Sequence, residues 1–185
     1  MDVVETSLKD VLLLKPDVHG DERGFFIEYF HDERFATMGV KFEVSQLNHS
    51  RSQRGVLRGL HYQLQHPQAK LVQVIQGEVL DVVVDIRKGS PTFGQSAAEV
   101  LSADNHYQLF VPAGFAHGFC VLSESVDFLY LCSDIYRPDD EYGIAWNDPA
   151  LDIPWPQGAE FELSLKDKRW PRLADADAVL PVFGD

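Results

Sequence analysis

A guanidinium, an imidazole and a phenol stand together in Arg58-Gly59-Leu60-His61-Tyr62-Gln63, and Lys70 opens the next apolar run before Gly77. Further on, Pro112-Ala113-Gly114-Phe115-Ala116-His117-Gly118 supplies a second imidazole. Imidazole titrates near neutral pH and suits a general base. An ammonium or phenol suits an oxyanion partner or proton donor, and guanidinium forks suit phosphate oxygens. From residue 44 to residue 77 there is no Asp or Glu, although the chain carries 29 acids; an even spread would place about five in that window. The same window holds Arg51, Arg54, Arg58 and Lys70 with His49, His61 and His66. A locally basic tract in a protein of net charge −13 reads as a site for a small anion, with a solvated basic loop as the plain alternative. The overall charge argues against partners that are nucleic acid or an anionic membrane surface.

These groups need a frame, and most of the chain reads as short strands: residues 11–14, 24–30, 43–49, 56–63, 70–76, 78–86, 95–101, 108–111, 118–122 and 127–133. They are rich in Val, Leu, Phe and Tyr and are separated by turn residues, which predicts an all-β sandwich or closed barrel. Gly77 followed by Glu78 predicts a tight hairpin. Strand alternation puts Arg58, Leu60 and Tyr62 on one face and Gly59, His61 and Gln63 on the other; a bulge near Gly59 would turn Arg58 and His61 toward one cavity. Asp32 is expected to cap a short helix through Met38 ended by Gly39, and Ser164 another over 165–168. The 185 residues fit one domain (1–185, core about 3–172), with an ordered loop over 146–156 and a peripheral tail over 173–185. No apolar run approaches the roughly 20 residues of a membrane helix, and the start lacks the basic residues of a signal peptide. A cytoplasmic protein with Cys120 and Cys132 as buried thiols is expected.

The spacings resemble the two sequence boxes of the cupin superfamily. The usual first box has a His-x-His pair, then Glu, six residues and Gly; the second has Pro-x-Gly-x-x-His. The second box is present through His117. In the first, His61-Tyr62-Gln63 offers one imidazole in place of two, and Lys70 stands where the carboxylate ligand would stand. An ammonium has no lone pair to donate and repels a divalent cation. No metal site is therefore expected, and the cavity reads as rebuilt for an anionic or electron-rich ligand. Taken singly, His61 and His117 would also pass for satisfied core histidines.

Over residues 3–172 the chain more closely resembles the dTDP-4-dehydrorhamnose 3,5-epimerase family, a metal-free branch of the cupins. The likeness is carried by Asp21-Glu22-Arg23-Gly24-Phe25-Phe26, Gln46-Leu47-Asn48, Arg58-Gly59-Leu60-His61, Ala69-Lys70-Leu71-Val72, Gly77-Glu78-Val79 with Asp81, the box ending at His117, Tyr130, and Leu165-Lys166-Asp167. It implies a cupin, double-stranded β-helix (jelly-roll) barrel with a few short peripheral helices. It also implies a dTDP-4-keto-6-deoxyhexose substrate inverted at C3 and C5 without a cofactor, in dTDP-L-rhamnose biosynthesis. By the same resemblance His61 is the base and Asp167 its orienting carboxylate, with Asp81 a second candidate for that role. Tyr130 is the proton donor and Lys70 holds the C4 oxygen. Arg23, Phe26, Glu28, Gln46, Asn48, Arg58, His117, Tyr136, Glu141 and Lys166 match substrate-contact positions. Tyr130 without the family would read as core, and Tyr136 as an exposed side chain beside a turn. Relatives are homodimers whose N-terminal strands join the partner's sheet, so Arg23 and Glu28 would serve the neighbouring site.

The run Tyr130-Leu131-Cys132-Ser133-Asp134-Ile135-Tyr136 departs from the family, which often has Lys and Thr after the acid tyrosine and two tyrosines in the next turn. An enzyme that inverts one centre therefore stays open. A metal-dependent cupin such as a dioxygenase and a non-catalytic sugar-nucleotide binding cupin are the readings from other classes.

Overall fold

The computed structural model describes residues 1–41 and 43–184. In chain order the strands are β1 (Asp2–Glu5), β2 (Leu12–Lys15), β3 (Val18–Asp21), β4 (Gly24–Ile27), β5 (Gln46–Gln53), β6 (Leu57–Gln63), β7 (Lys70–Gln76), β8 (Glu78–Asp85), β9 (Ser96–Ser102), β10 (Gln108–Val111), β11 (Phe115–Val121), β12 (Ser125–Cys132) and β13 (Glu141–Gly143). A six-stranded sheet runs β1-β2-β10-β7-β12-β5, a five-stranded sheet runs β13-β6-β11-β8-β9, and β3 and β4 form a separate hairpin. All pairings within these sheets are antiparallel. The all-β jelly-roll expectation is borne out.

Strand alternation builds three apolar layers. Leu13, Val72, Val74, Leu109 and Phe128 of the first sheet meet Val79, Val83, Leu101 and Phe119 of the second in the space between them. The neighbouring positions face outward: Leu14, Leu71 and Phe110 pack beneath Phe35 and Val40, while Leu60, Val82, Val84 and Ala116 pack beneath Ile144, Leu151, Leu173, Ala176 and Leu180. Such double-sided burial explains why β7, β8 and β11 read as continuous apolar runs. Phe35 belongs to the single α-helix among the described residues, α1 (Asp32–Thr37), which lies over the six-stranded sheet.

Several local expectations need correcting. The cap of α1 is His31, whose ring accepts from Arg34 N–H, and Asp32 lies in the first turn. Gly77 (φ +81) carries the chain from one sheet to the other: β7 pairs with β10 and β12, and β8 with β9 and β11, so no hairpin forms there. Residues 165–168 form turns, although Ser164 Oγ accepts from Asp167 N–H at 3.1 Å as a cap would. β4 stops at Ile27, and β5 begins at Gln46 and continues past His49; part of the expected 43–49 strand thus lies in the segment before β5. Beyond residue 172 the chain buries Leu173, Ala176 and Leu180 and bridges Val182 to Lys88.

Candidate active site

The two sheets part at one end around a cavity of about 670 Å³. Its polar lining follows from register. On the six-stranded sheet, Gln46 and Asn48 of β5 lie opposite Cys132 and Tyr130 of β12, and Cys132 lies opposite Lys70 of β7. These alternate residues share one face, and all five line the cavity. The five-stranded sheet presents Arg58, His61 and His117 from the other side. Between β6 and β11 the pairs His117–His61 and Phe119–Arg58 show one extra residue in β6. That bulge puts Arg58 and His61, three apart in sequence, on the same side, as expected. It requires close backbone contact: a Cβ on Gly59 (φ +139) would sit 2.6 Å from Gly118 Cα.

His61 Nε2 lies 2.5 Å from Asp167 Oδ1. Asp167 is buried and also receives Trp170 Nε1–H at 3.3 Å. Burial pushes this carboxyl up, but the contacts from His61, Ser164 and Trp170 outweigh it and hold Asp167 below the usual carboxylate range. The other His61 nitrogen, Nδ1, lies 3.9 Å from Glu141 Oε1. Asp81, the second candidate for His61's carboxylate, instead lies 2.9 and 3.0 Å from His117 Nε2. Asp81 sits on β8 beside β11, fully buried, and burial raises its carboxyl while His117 opposes the rise. The two imidazoles of the cavity thus have separate carboxylates.

Among the described residues the Lys70 ammonium makes no hydrogen bond or ion pair. Desolvation pulls it below the ordinary lysine range, opposed by Cys132, Glu141 and Asp81. Burial, with Cys132 and Glu141, raises the Tyr130 phenol, while the Arg58 charge opposes the rise. Arg58 donates Nε–H to Ser52 Oγ at 3.1 Å and has no carboxylate partner among the described residues. At the rim, Glu141 Oε2 accepts from Tyr136 at 2.8 Å and from Lys166 at 2.5 Å. Burial raises Glu141, yet these donors and His61 hold it below its usual range; Tyr136 is pushed up to about 12 by burial and Glu141.

The basic tract therefore divides. Arg58, His61 and Lys70 enter the cavity, while His49 and Arg51 pair with Asp127, Arg54 donates to Leu122 O and His66 faces Asp134. Arg23, Phe26 and Glu28 lie outside the cavity of their own chain. Arg23 pairs with Asp21, Glu28 pairs with Arg34, and Phe26 and Glu28 line a second cavity of about 430 Å³ near α1. Sequence reasoning did not single out Gln68, Phe119 or Phe128 as cavity lining, nor Trp170 as a partner of Asp167. The spacing from Asp167 to Trp170, three residues in a turn, was the available signal for the last.

An all-β double sheet with an end lined by polar side chains defines a cupin-type barrel; among the described residues no group of three or more His, Cys, Asp or Glu is arranged to hold a metal ion. The sequence profile described as dTDP-4-dehydrorhamnose 3,5-epimerase matches residues 5–175. A relative of that name from Neisseria gonorrhoeae is 53% identical over 185 residues; the match takes in all of this chain, which spans 56% of that relative's length. Another from Pseudomonas aeruginosa is 51% identical over 178 residues, covering 96% of this chain and 98% of its own length. A solved epimerase from Legionella pneumophila, in complex with dTDP-4-keto-L-rhamnose, is 48% identical and superposes with a TM-score of 0.96 over 100% of this chain and 99% of that one. The chain belongs to the dTDP-4-dehydrorhamnose 3,5-epimerase family. No helix among the described residues is long and apolar enough to cross a membrane.

Proposed function

We propose that this chain inverts C3 and C5 of a thymidine-diphosphate 4-keto-6-deoxy sugar, converting dTDP-4-dehydro-6-deoxy-glucose to dTDP-4-dehydro-rhamnose. The observation that carries the reading is one cavity holding an unpaired ammonium, an imidazole oriented by a carboxylate, and a phenol on the opposite sheet. The hydrogens on C3 and C5 are both α to the C4 ketone. His61, bonded through Nε2, takes such a proton at Nδ1, and Asp167 stabilises the imidazolium formed. The electron pair moves into the ring–C4 bond and charge develops on the ketone oxygen, where Lys70 meets it. Tyr130 returns a proton to the same carbon from the opposite face, and exchange with solvent resets phenol and imidazole. The product is an isomer, with no net oxidation.

Arg58 and Lys166 serve the diphosphate in this reading, Tyr136 stacks on the base, and Gln46, Asn48, His117 and Glu141 read hydroxyl and base edges. A homodimer completes the site. Its support is an unpaired edge at β5, Leu47 at 62% exposure, and a separate β3–β4 hairpin with Phe25 and Phe26 at 63% and 68%. An open strand edge beside exposed apolar side chains is a surface that assembly covers, and this hairpin carries or adjoins Arg23, Phe26 and Glu28. Two free buried cysteines fit a cytoplasmic setting.

The test is solvent deuterium uptake by the 4-keto substrate without added metal. Uptake at C3 and C5 that disappears in His61→Ala supports the reading. Uptake at one carbon marks a single-centre epimerase, tight binding with no uptake a binding module, and loss of activity with chelators a metal-dependent cupin. Unimpaired exchange in His61→Ala removes the base.

A further inference from the structure

The carboxylate that orients His61 is shared. Trp170 Nε1–H reaches Asp167 Oδ1 at 3.3 Å, the same oxygen that lies 2.5 Å from His61 Nε2. The indole also meets the imidazole edge-on, with centroids 6.2 Å apart and planes at 70°. Against β13 the indole lies so close to Gly143 that an added Cβ there would come within 2.5 Å of it. Gly143 is the residue paired opposite His61 between β13 and β6. The chain just beyond the indole is pinned by Ala145 N–H donating to Pro171 O at 2.7 Å. One side chain thus touches the imidazole, its carboxylate and the backbone beside both.

We propose that Trp170 is a positioning residue for proton transfer at His61: its N–H fixes the rotation of the Asp167 carboxylate and takes up part of the charge that would otherwise face the imidazole. The proposal rests on the epimerase reading for its kinetic consequences only. An oxygen relieved of one of its two donors holds more charge for the other, so loss of the indole N–H favours the imidazolium and raises the pH at which His61 releases its proton. The other groups that face His61 stay in place: Glu141 from β13, His117 from β11, Arg58 from β6 itself, Lys70 and Tyr130 from the opposite wall, and Lys166 through Glu141.

The experiment follows the His61 imidazole by NMR across pH in the substrate-free wild type and in Trp170→Phe, which keeps a ring and loses the donor. The pH dependence of deuterium exchange is measured in parallel. The His61 midpoint is expected to rise by about 0.5 pH unit in Trp170→Phe. The acid limb of kcat/KM should move with it, and kcat should fall about tenfold with KM held within about twofold. An unmoved midpoint in folded Trp170→Phe overturns the proposal. The wild-type protein gives an answer without any substitution: the Trp170 indole N–H resonance must shift in step with the His61 titration, and a resonance indifferent to it also overturns the proposal. Failure of the wild type to exchange deuterium would count against the epimerase reading alone, because the imidazole midpoint is read without substrate.

Discussion

Lys70 carries two opposed consequences. An ammonium partly withdrawn from water, with no partner among the described residues, costs stability, and the same unpaired charge is what a developing enolate oxygen needs. Lys70→Met is therefore expected to lower kcat for exchange by about 10²–10³-fold and to raise the melting temperature. The sign with pH follows from a folded-state pKa that is lowered: the penalty is complete below that value and fades as pH rises toward the ordinary lysine value of 10.5. Melting curves of the two proteins should accordingly converge in alkali; equal stability at neutral pH would contradict the buried-charge reading. His61 and Lys70 were legible in the sequence because their box positions are local, whereas Tyr130, inside the apolar run of β12, stood out only through the family resemblance. The division of labour between Asp81 and Asp167 was not. Asp81 is committed to His117 by the β8–β11 pairing, and Asp167 arrives from a turn more than a hundred residues beyond His61.

Among the elements, buried strands were readable and exposed ones were not; even four-residue β10, buried throughout, falls at its expected 108–111. β7, β8 and β12 match their expected ranges closely because burial on both faces gives an unmistakable apolar run. β1, β3 and β13 are three or four residues long and largely exposed or only half-buried, so neither alternation nor apolarity marks them. The Gly77 turn was visible, but whether a turn closes a hairpin or changes sheets depends on distant partners such as β10 and β11. β5, an edge strand of the six-stranded sheet, is tied to β12 by Asp127, which receives Arg51 at 2.7 and 2.5 Å and meets His49 at 3.1 Å. The hydrogen bonds from Arg51, then those from His49, hold the Asp127 carboxyl down to about 2 against burial. A depressed carboxyl stabilises the fold above its ordinary value of 3.8 and loses that contribution as pH falls through about 2. Asp127→Asn should melt below the wild type near neutral pH, and the gap should close by pH about 2. A gap that persists in acid would place the effect in packing instead of charge.

At the scale of the whole molecule, the proposed dimer makes each site a joint product of two chains. Arg23→Ala and His61→Ala homodimers should both be impaired. Mixed after dissociation, they should regain exchange activity, since one of the two sites in a heterodimer then has an intact His61 and a partner's intact Arg23. No recovery, with mixed dimers verified by mass, would confine each site to one chain; sedimentation should meanwhile show two chains per particle, and Phe25→Asp with Phe26→Asp should shift it toward one. The meeting of Gly59 and Gly118 bears on how such a site can change. Each glycine stands where a Cβ would strike the other's chain, 2.6 Å from Gly118 Cα or from Arg58 O, so where Gly118 lines the cavity the wall is main chain and has no side chain to trim. An engineer wishing to admit a bulkier sugar gains nothing at that glycine; room has to be made where Gln46, Asn48 and Phe128 line the cavity and offer atoms that can be removed.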